Sequence, residues 1–242
     1  MLYIFLFLIT HHFLSLFTQT FFLHRYSAHQ MFTMSKFWEK FFYVFTWITQ
    51  GASYLSAYTY GRLHRMHHVY ADTEKDVHSP KYDGNIWKMM LNTKDIYTEI
   101  HEGEFEMEER FLGNLPIWNS FDSFAHAWPT RLAWGFAYIA FYVVFATEWW
   151  MFLLLPIHFI MSPIHGAIIN WFAHKVGYRN HDVQDTSTNL FPIEIFMLGE
   201  GLHNNHHKHG TRANFAQKWF EFDPVYLVIL ILHGLRVIRI KK

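Results

Sequence analysis

The sequence predicts an all-α integral membrane protein in which about three to four membrane-embedded helices carry a cytosolic helical cap. Hydrophobic residues make up 51% of the 242 residues, and residues 1–23 and 149–172 contain no Asp, Glu, Lys or Arg. Runs of about 20 apolar residues are long enough to cross a bilayer. Three histidine clusters lie beside the apolar runs and predict that the cap holds a histidine-rich di-metal site. We interpret residues 1–242 as a single domain.

The overall composition excludes several classes of protein. Lys and Arg number 20, as do Asp and Glu, and this balance gives no sign of nucleic-acid binding, which needs a basic surface. The chain has no cysteine, which excludes disulfides, thiolate metal sites and a cysteine nucleophile. Its 19 histidines are the unusual feature of the composition.

The first predicted span covers residues 1–23 and ends at the first histidine cluster. It lacks a basic start and a small-residue cleavage site, so we interpret it as a membrane anchor rather than a signal peptide. His11, His12 and Gln19 interrupt the apolar run. Polar groups inside a membrane usually face other helices, so we expect these side chains to serve interhelical packing.

Residues 37–60 are apolar and aromatic, but a single crossing here would place the first two histidine clusters on opposite sides of the membrane. Such clusters could not share a site. The second half of the segment is also polar. We therefore predict an interfacial or re-entrant helix, or a short hairpin, that returns to the starting side.

A polar stretch, residues 69–127, follows the second cluster. It includes the acidic run 102–109, which we interpret as a solvated loop or helix face. Residues 131–147 and 149–172 then predict two spans joined near Glu148. Pro156 and Pro163 are expected to kink the second of them.

The last apolar segment, residues 222–238, is short for a span and is followed by basic residues. We predict a helix lying on the cytoplasmic face, because basic residues near spans favour that side. With this topology all the histidine clusters lie on the cytoplasmic face.

The three clusters have the patterns His-x4-His, His-x2-His-His and His-x2-His-His. Positions i, i+3 and i+4 share one face of a helix, so each of the last two clusters is expected to converge on one point. The first pair, five residues apart, lies about 140° around an α-helix and is expected to reach toward different points or to sit at a helix end. The candidate metal ligands are His24, His29, His64, His67, His68, His203, His206 and His207.

Eight imidazoles exceed the four to six ligands of one ion, so the clusters predict two metals in one pocket. Imidazole ligands suit iron, zinc or copper. Zinc hydrolases usually have three protein ligands and an open position, so two zinc ions would leave some of these histidines unused. The soluble di-iron proteins use paired Glu-x-x-His motifs. This chain has one such spacing, Glu200 to His203, which we interpret as coincidence.

The three clusters in this order resemble those of the membrane fatty acid desaturases, and the closer likeness is to the stearoyl-CoA desaturase-like branch. That likeness rests on residues 199–207 (GEGLHNNHH), residues 170–179 (NWFAHKVGYR) and the His-Ser-Pro at 78–80. It covers roughly residues 20–220. The resemblance implies a di-iron centre that uses O2 to remove two hydrogens from adjacent methylenes of a fatty acyl chain, most often at Δ9. The substrate would be an acyl-CoA or a lipid-linked acyl chain. Two electrons would come from an external donor, a ferredoxin or cytochrome b5-like protein.

Carried over residue by residue, the resemblance implies that the eight cluster histidines ligate iron and that His174 is a ninth ligand. Asn170 matches an asparagine that holds one iron through water. Arg62 matches an arginine placed to meet the head group of the substrate. Only one apolar span precedes the first cluster, whereas the animal enzymes have two. Together with the compact length, this difference points to a bacterial inner-membrane protein.

Two other classes of protein have related sequence features. A membrane di-iron hydroxylase acting on an alkane, carotenoid or sphingolipid would use the same ligand pattern, and product analysis, alkene against alcohol, separates it from a desaturase. A membrane metal transporter would place its histidines inside the spans. Here the clusters flank the spans on one side, which disfavours a transporter.

Overall fold

The computed structural model describes residues 1–241, which form a helical structure with one short β-ribbon. The α-helices are α1 (Leu2–Thr18), α2 (Lys36–Gln50), α3 (Ala57–Tyr70), α4 (Ile86–Glu102), α5 (Asn119–His126), α6 (Trp128–Phe145), α7 (Leu155–Phe159), α8 (Met161–Ala167), α9 (His203–Lys208) and α10 (Pro224–Gly234). Two π-helices cover Gln19–Ala28 and Ile168–Phe172, and 3-10 helices cover Gly51–Ser53, Glu109–Phe111 and Trp149–Leu154. The strands are β1 (Phe32–Met34) and β2 (Ile238–Ile240).

The first helix is long and apolar because α1 continues without a break into the π-helix Gln19–Ala28. Together they give a 27-residue helix, Leu2–Ala28, which is long and apolar enough to cross a membrane. His11 Nδ1 lies 2.7 Å from His158 Nδ1, and His12 Nδ1 lies 3.2 Å from His165 Nε2. The predicted interhelical role of these two histidines is therefore confirmed.

Helix α6 runs antiparallel to α1. The rings of Tyr3 and Phe145 lie 5.2 Å apart between centroids, and those of Phe7 and Phe141 lie 4.5 Å apart. Later residues of α1 therefore contact earlier residues of α6, which shows that the two helices run in opposite directions. The start of α6 is therefore level with the later part of the long first helix.

The segment from Trp149 to Phe172 then returns parallel to α1. Met151 packs with Ile4 at the beginning of this segment, and Ser162 Oγ lies 3.3 Å from Ser15 Oγ further along. The segment is bent by 71° between Phe159 and Met161, which confirms the predicted kink between the two prolines.

The predicted number of embedded helices is confirmed only in part. Leu2–Ala28 qualifies as a span by length and apolarity, and the bent pair Trp149–Phe159 and Met161–Phe172 qualifies as a second if it crosses as one unit. Helix α6, at the place of the predicted span 131–147, is not apolar enough over its length to qualify. Among residues 1–241, composition thus supports one or two spans rather than three to four.

The segment predicted to enter and return, residues 37–60, forms α2, a tight turn and the start of α3. Thr49 Oγ1 lies 2.9 Å from Thr18 Oγ1, and after the turn Ser53 Oγ lies 3.0 Å from Ser162 Oγ. The chain is back beside the π-helix at Ala57, whose carbonyl accepts a hydrogen bond from Ser27 Oγ at 2.6 Å. This path brings the second histidine cluster back to the first. The interfacial or re-entrant position of this segment in a membrane stays a prediction.

The C-terminal segment differs from the single helix predicted for residues 222–238. Helix α10 ends at Gly234, and the chain then forms β2, which pairs antiparallel with β1 in the register Phe32↔Ile240. Val225 and Ile229 of α10 are buried in the main apolar core beside the π-helix. The ribbon ties the C-terminal segment to the chain just after the first cluster. The helical fold class is confirmed, and this two-stranded ribbon is a local addition to it.

Candidate metal centre

The structure brings the nine candidate ligands together from four parts of the chain and divides them into two groups. Within each group the ligand atoms all lie within 4.8 Å of one another. The five-histidine group consists of His24, His29, His64, His68 and His206. The four-histidine group consists of His67, His174, His203 and His207.

Each of the two His-x2-His-His helices serves both groups. On α3, His64 and His68 belong to the five-histidine group and His67 to the other. On α9 the division is reversed, and His206 alone belongs to the five-histidine group. Residues i and i+4 lie only about 40° apart on a helix, whereas i+3 and i+4 lie about 100° apart. The expectation that each cluster converges on one point is therefore wrong, and each helix instead bridges two points.

His24 and His29 belong to one group although they are five residues apart. The backbone here is a π-helix, in which the His29 amide donates to the His24 carbonyl at 3.1 Å. This i→i+5 hydrogen bond places the two residues nearly above one another. The expectation that they reach toward different points assumed α-helical geometry and is wrong.

The nitrogen spacing in the five-histidine group fits ligands around a cation. Successive Nε2 atoms are 2.9 Å apart along the series His24, His206, His68, His64 and His29. Two ligands with metal–nitrogen bonds of about 2.0–2.1 Å that meet at a right angle are about 2.9 Å apart. A neutral Nε2 carries either a proton or a lone pair, so one atom cannot serve two such contacts well as hydrogen bonds. In the other group His174 Nε2 lies 3.1 Å from His203 Nε2.

Three histidines of the five-histidine group are held in the neutral form that binds metals. Burial, reinforced by the neighbouring imidazoles, lowers the pKa of His64, His68 and His206 well below the usual range. Their lone pairs are therefore free near neutral pH. A neutral imidazole is the commonest metal ligand of proteins.

Four of the nine histidines have a carboxylate against the ring nitrogen that faces away from the group. The distances are 2.6 Å for His24 Nδ1 to Glu200, 2.9 Å for His67 Nδ1 to Asp76, 3.3 Å for His174 Nδ1 to Asp72 and 3.0 Å for His207 Nδ1 to Asp185. Such contacts fix the tautomer so that Nε2 points its lone pair into the group, where a metal ion would bind. Burial raises the pKa of Asp76, but His67 opposes this and holds it at about 2, so the carboxylate is ionised.

Sequence reasoning missed these four carboxylates. Glu200, whose spacing to His203 was interpreted as coincidence, is buried against His24 and also accepts a hydrogen bond from Thr20. Asp72 and Asp76 follow the second cluster within nine residues, which was a usable signal. Asp185 lies far from any cluster in sequence, and only the fold brings it to His207. The acidic run at 102–109 is mostly exposed, as predicted.

His78 is a further buried histidine beside the four-histidine group. Its ring centroid lies 4.4 Å from that of His67, and neither of its nitrogens has a hydrogen-bond partner among residues 1–241. It forms a smaller possible group with His67 and Asp76. The sequence pattern His-Ser-Pro drew attention to this position without indicating its burial.

The two remaining candidates, Asn170 and Arg62, lie outside the histidine groups. Asn170 sits in the π-helix Ile168–Phe172, which ends before His174. Arg62 stacks its guanidinium over Tyr58 at 3.7 Å, and its buried Nε has no partner among residues 1–241. The roles of both residues stay predictions.

Comparison with known proteins agrees with this geometry. A sequence model of the family described as fatty acid desaturase matches residues 1–225. The chain belongs to the fatty acid desaturase family. The match covers all nine histidines and all four carboxylates that contact them.

Individual relatives are distant but cover most of the chain. An sn-1 stearoyl-lipid 9-desaturase of Anabaena variabilis is 25% identical over 86% of this chain and 72% of its own length. An acyl-CoA 5-desaturase of Anemone leveillei is 28% identical over 88% of the chain and 63% of its own length. An sn-1 stearoyl-lipid 9-desaturase of Synechocystis is 27% identical over 86% and 62%. The chain thus spans between about three fifths and three quarters of the length of these relatives.

Proposed function

We propose that this chain is an oxygen-dependent di-iron desaturase that introduces a cis double bond into a fatty acyl chain, at the Δ9 position, with the acyl group carried on CoA or on a lipid. The observation that carries this proposal is the gathering of nine histidines into groups of five and four. Membership of the desaturase family supports it independently.

The donor set fits two metal ions. Each group offers enough imidazole nitrogens for one ion, and the orienting carboxylates lie on the far side of the rings. Iron is favoured over other imidazole-binding metals by the resemblance of the clusters. Bound iron would supply the oxidation of an unactivated C–H bond with O2, a reaction that side-chain acids and bases cannot perform.

The protein residues would hold and shield this centre. His24, His67 and His203 are each no more than 1% exposed, so water has little access to the ligands. Asn170 would hold a water next to one iron, and Arg62 would meet the head group of the substrate. The electrons would come from an external ferredoxin or cytochrome b5-like donor.

Membership of the family also supports our proposals for the substrate and the location of the protein. The relatives include desaturases named for position 9 of stearoyl-lipids and for position 5 of acyl-CoA, so both carriers occur in the family. We place the chain in a bacterial inner membrane with the histidine groups on the cytoplasmic face. The spans 1–23, 131–147 and 149–172 would form one membrane domain with the rest of residues 1–242.

The test is expression in a host that lacks unsaturated fatty acids, followed by fatty-acid profiling. We expect Δ9 cis-unsaturated chains from the wild-type protein and none from His206→Ala, which removes one of the five imidazoles of its group. Hydroxylated products would show the related hydroxylase instead. Full activity of purified His206→Ala with two irons bound would refute the ligand assignment.

A further inference from the structure

The segment between His174 and the third cluster presents an exposed apolar surface. Phe191, Ile193, Ile195 and Phe196 are between 55% and 65% exposed, and Trp219, three residues before the Phe222 that pairs with Ile193, is 96% exposed. We call residues 191–196 the apolar loop. Water-exposed aromatic and aliphatic side chains in such a continuous patch usually mark a contact with another apolar phase.

Several backbone groups of this loop are paired within the protein. Ile193 forms a bridge with Phe222, where the Phe222 amide donates to the Pro192 carbonyl at 2.8 Å and the Glu194 amide donates to the Phe222 carbonyl at 3.3 Å. The Glu194 carbonyl accepts from the Gly199 amide at 2.9 Å. Proline brings no amide proton to satisfy. Paired backbone groups are a condition for contact with lipid.

The loop also keeps its one charge away from the surface. Glu194 is the only ionisable residue among residues 191–196, and it is 2% exposed while the residues on either side point outward. Its carboxyl group faces the backbone of Gly201 in the interior. The outward surface of the loop is therefore free of charge.

The loop reaches far down the candidate span. The carbonyl of Phe196 lies 3.1 Å from His12 Nε2, and the two rings are stacked with centroids 4.8 Å apart. His12 precedes His24 by twelve residues on one continuous helix, which is about 18 Å at 1.5 Å per residue. The neighbouring outward residue of that helix, Ile9, is itself apolar and 53% exposed. The loop thus continues the lipid-facing surface of Leu2–Ala28.

We propose that the apolar loop inserts into the acyl-chain region of the bilayer beside α1, with Trp219 nearer the head groups. Trp219 follows the exposed Lys218, a pairing of tryptophan with a basic residue that is typical of the membrane interface. The loop lies in the segment that connects the ligands His174 and His203. Its insertion would therefore fix the position of the four-histidine group relative to the membrane. The proposal concerns membrane contact and does not depend on the desaturase reaction.

The chain has no cysteine, so single-cysteine variants can test the proposal directly. Ile193→Cys, Phe196→Cys and Trp219→Cys would carry a nitroxide label in phosphatidylcholine nanodiscs. Glu106→Cys, in the exposed acidic run, is the matched control. Accessibility of each nitroxide to O2 and to a water-soluble nickel chelate would be measured by electron paramagnetic resonance.

We expect labels at 193 and 196 to be several-fold more accessible to O2 than to the nickel chelate, with 196 deeper than 219, and the control to show the reverse preference. Nickel accessibility at 193 and 196 equal to that of the control would overturn the proposal. Shielding of both labels from both reagents would also overturn it, because it would mean that a second protein surface covers the loop. Helix content by circular dichroism checks that each labelled variant is folded, and Ile195→Cys replaces any that is not.

Discussion

At the scale of single residues, four of the ligand histidines are oriented by a carboxylate on the ring nitrogen that faces away from the group. Asp76 Oδ1 lies 2.9 Å from His67 Nδ1, and both side chains are fully buried. The carboxylate holds the proton on Nδ1 and leaves Nε2, which has no protein partner among residues 1–241, to face the group. Orientation of this kind raises the basicity of a metal ligand.

Replacement of Asp76 by Asn is therefore expected to lower metal affinity by about 10–100-fold while the fold is kept, because it removes the charge and preserves the shape. Bound iron per chain and affinity under chelator competition measure the effect. Asp95→Asn is the control, since Asp95 is exposed and pairs only with Lys94 at the surface. Equal iron retention in the two variants would contradict the orienting role of Asp76.

Glu194 gives a second prediction at this scale because burial raises its pKa from 4.5 to about 7. The charges of Glu200 and Asp223 act in the same direction. A carboxyl group whose pKa is raised by folding stabilises the folded protein at pH values below its unfolded-state pKa. This stability is lost as the pH rises through the folded-state pKa. The shift corresponds to stability on the order of 3 kcal/mol.

Glu194→Gln, which cannot ionise, should accordingly melt at a higher temperature than wild type at pH 8 and at a similar temperature at pH 5. Thermal melting in nanodiscs at the two pH values measures this difference. Glu106→Gln, at an exposed position, should follow wild type at both. A Glu194→Gln variant with the same melting difference at pH 5 and pH 8 would show that this carboxyl group is not the cause.

At the scale of elements, the site depends on the close approach of α3 to the π-helix Gln19–Ala28. Gly61 is where the two meet, because a Cβ there would lie 2.5 Å from Leu115 Cδ2 and 2.8 Å from Ser27 Oγ. Ser27 cannot move freely, since its hydroxyl donates to the Ala57 carbonyl. The absence of a side chain at residue 61 lets the first and second clusters share one group of ligands.

Gly61→Val should push α3 away from the π-helix and cost most of the bound iron, because the histidines of α3 would no longer meet those of the π-helix. Gly84→Val is the matched control, since nothing lies within 4 Å of the position of its Cβ. Metal content and near-ultraviolet circular dichroism would be compared for the two variants. Normal iron content in folded Gly61→Val would show that the close approach is not required.

At the scale of the whole molecule, the directions of the helices determine which loops share a side. Contacts of α1 with α6 and with the returning segment place Glu148 at the end far from the histidine groups, and place Thr33 and Glu74 near them. With Leu2–Ala28 as a membrane span, both histidine-bearing ends are expected on one side of the membrane.

In the cysteine-free chain, Thr33→Cys and Glu74→Cys should react with a membrane-impermeant maleimide from the same side, and Glu148→Cys from the other. Inside-out and right-side-out vesicles distinguish the two sides, and all three residues are exposed. Labelling of residues 33 and 74 from opposite sides would refute both the re-entrant path of residues 37–60 and the shared centre.

The sequence by itself determined the composition of the site and the helical, apolar character of the chain. Eight of the nine ligand candidates could be named because clustered imidazoles beside apolar runs are a local pattern, whereas His174 was named only through the family resemblance. The interhelical role of His11 and the kink before Pro163 were predictable for the same reason, since a polar side chain in an apolar helix and a missing amide proton act locally.

The tertiary structure alone decided how the ligands divide and what supports them. The partition into five and four depends on where α3 and α9 stand, and a residue's direction on a helix does not say which neighbour it meets. The π-helix that unites His24 with His29 depends on packing around residues 19–28, which α-helical periodicity does not describe. Asp185 reaches His207 and Phe196 reaches His12 across long stretches of chain, and such contacts arise only when distant segments fold together.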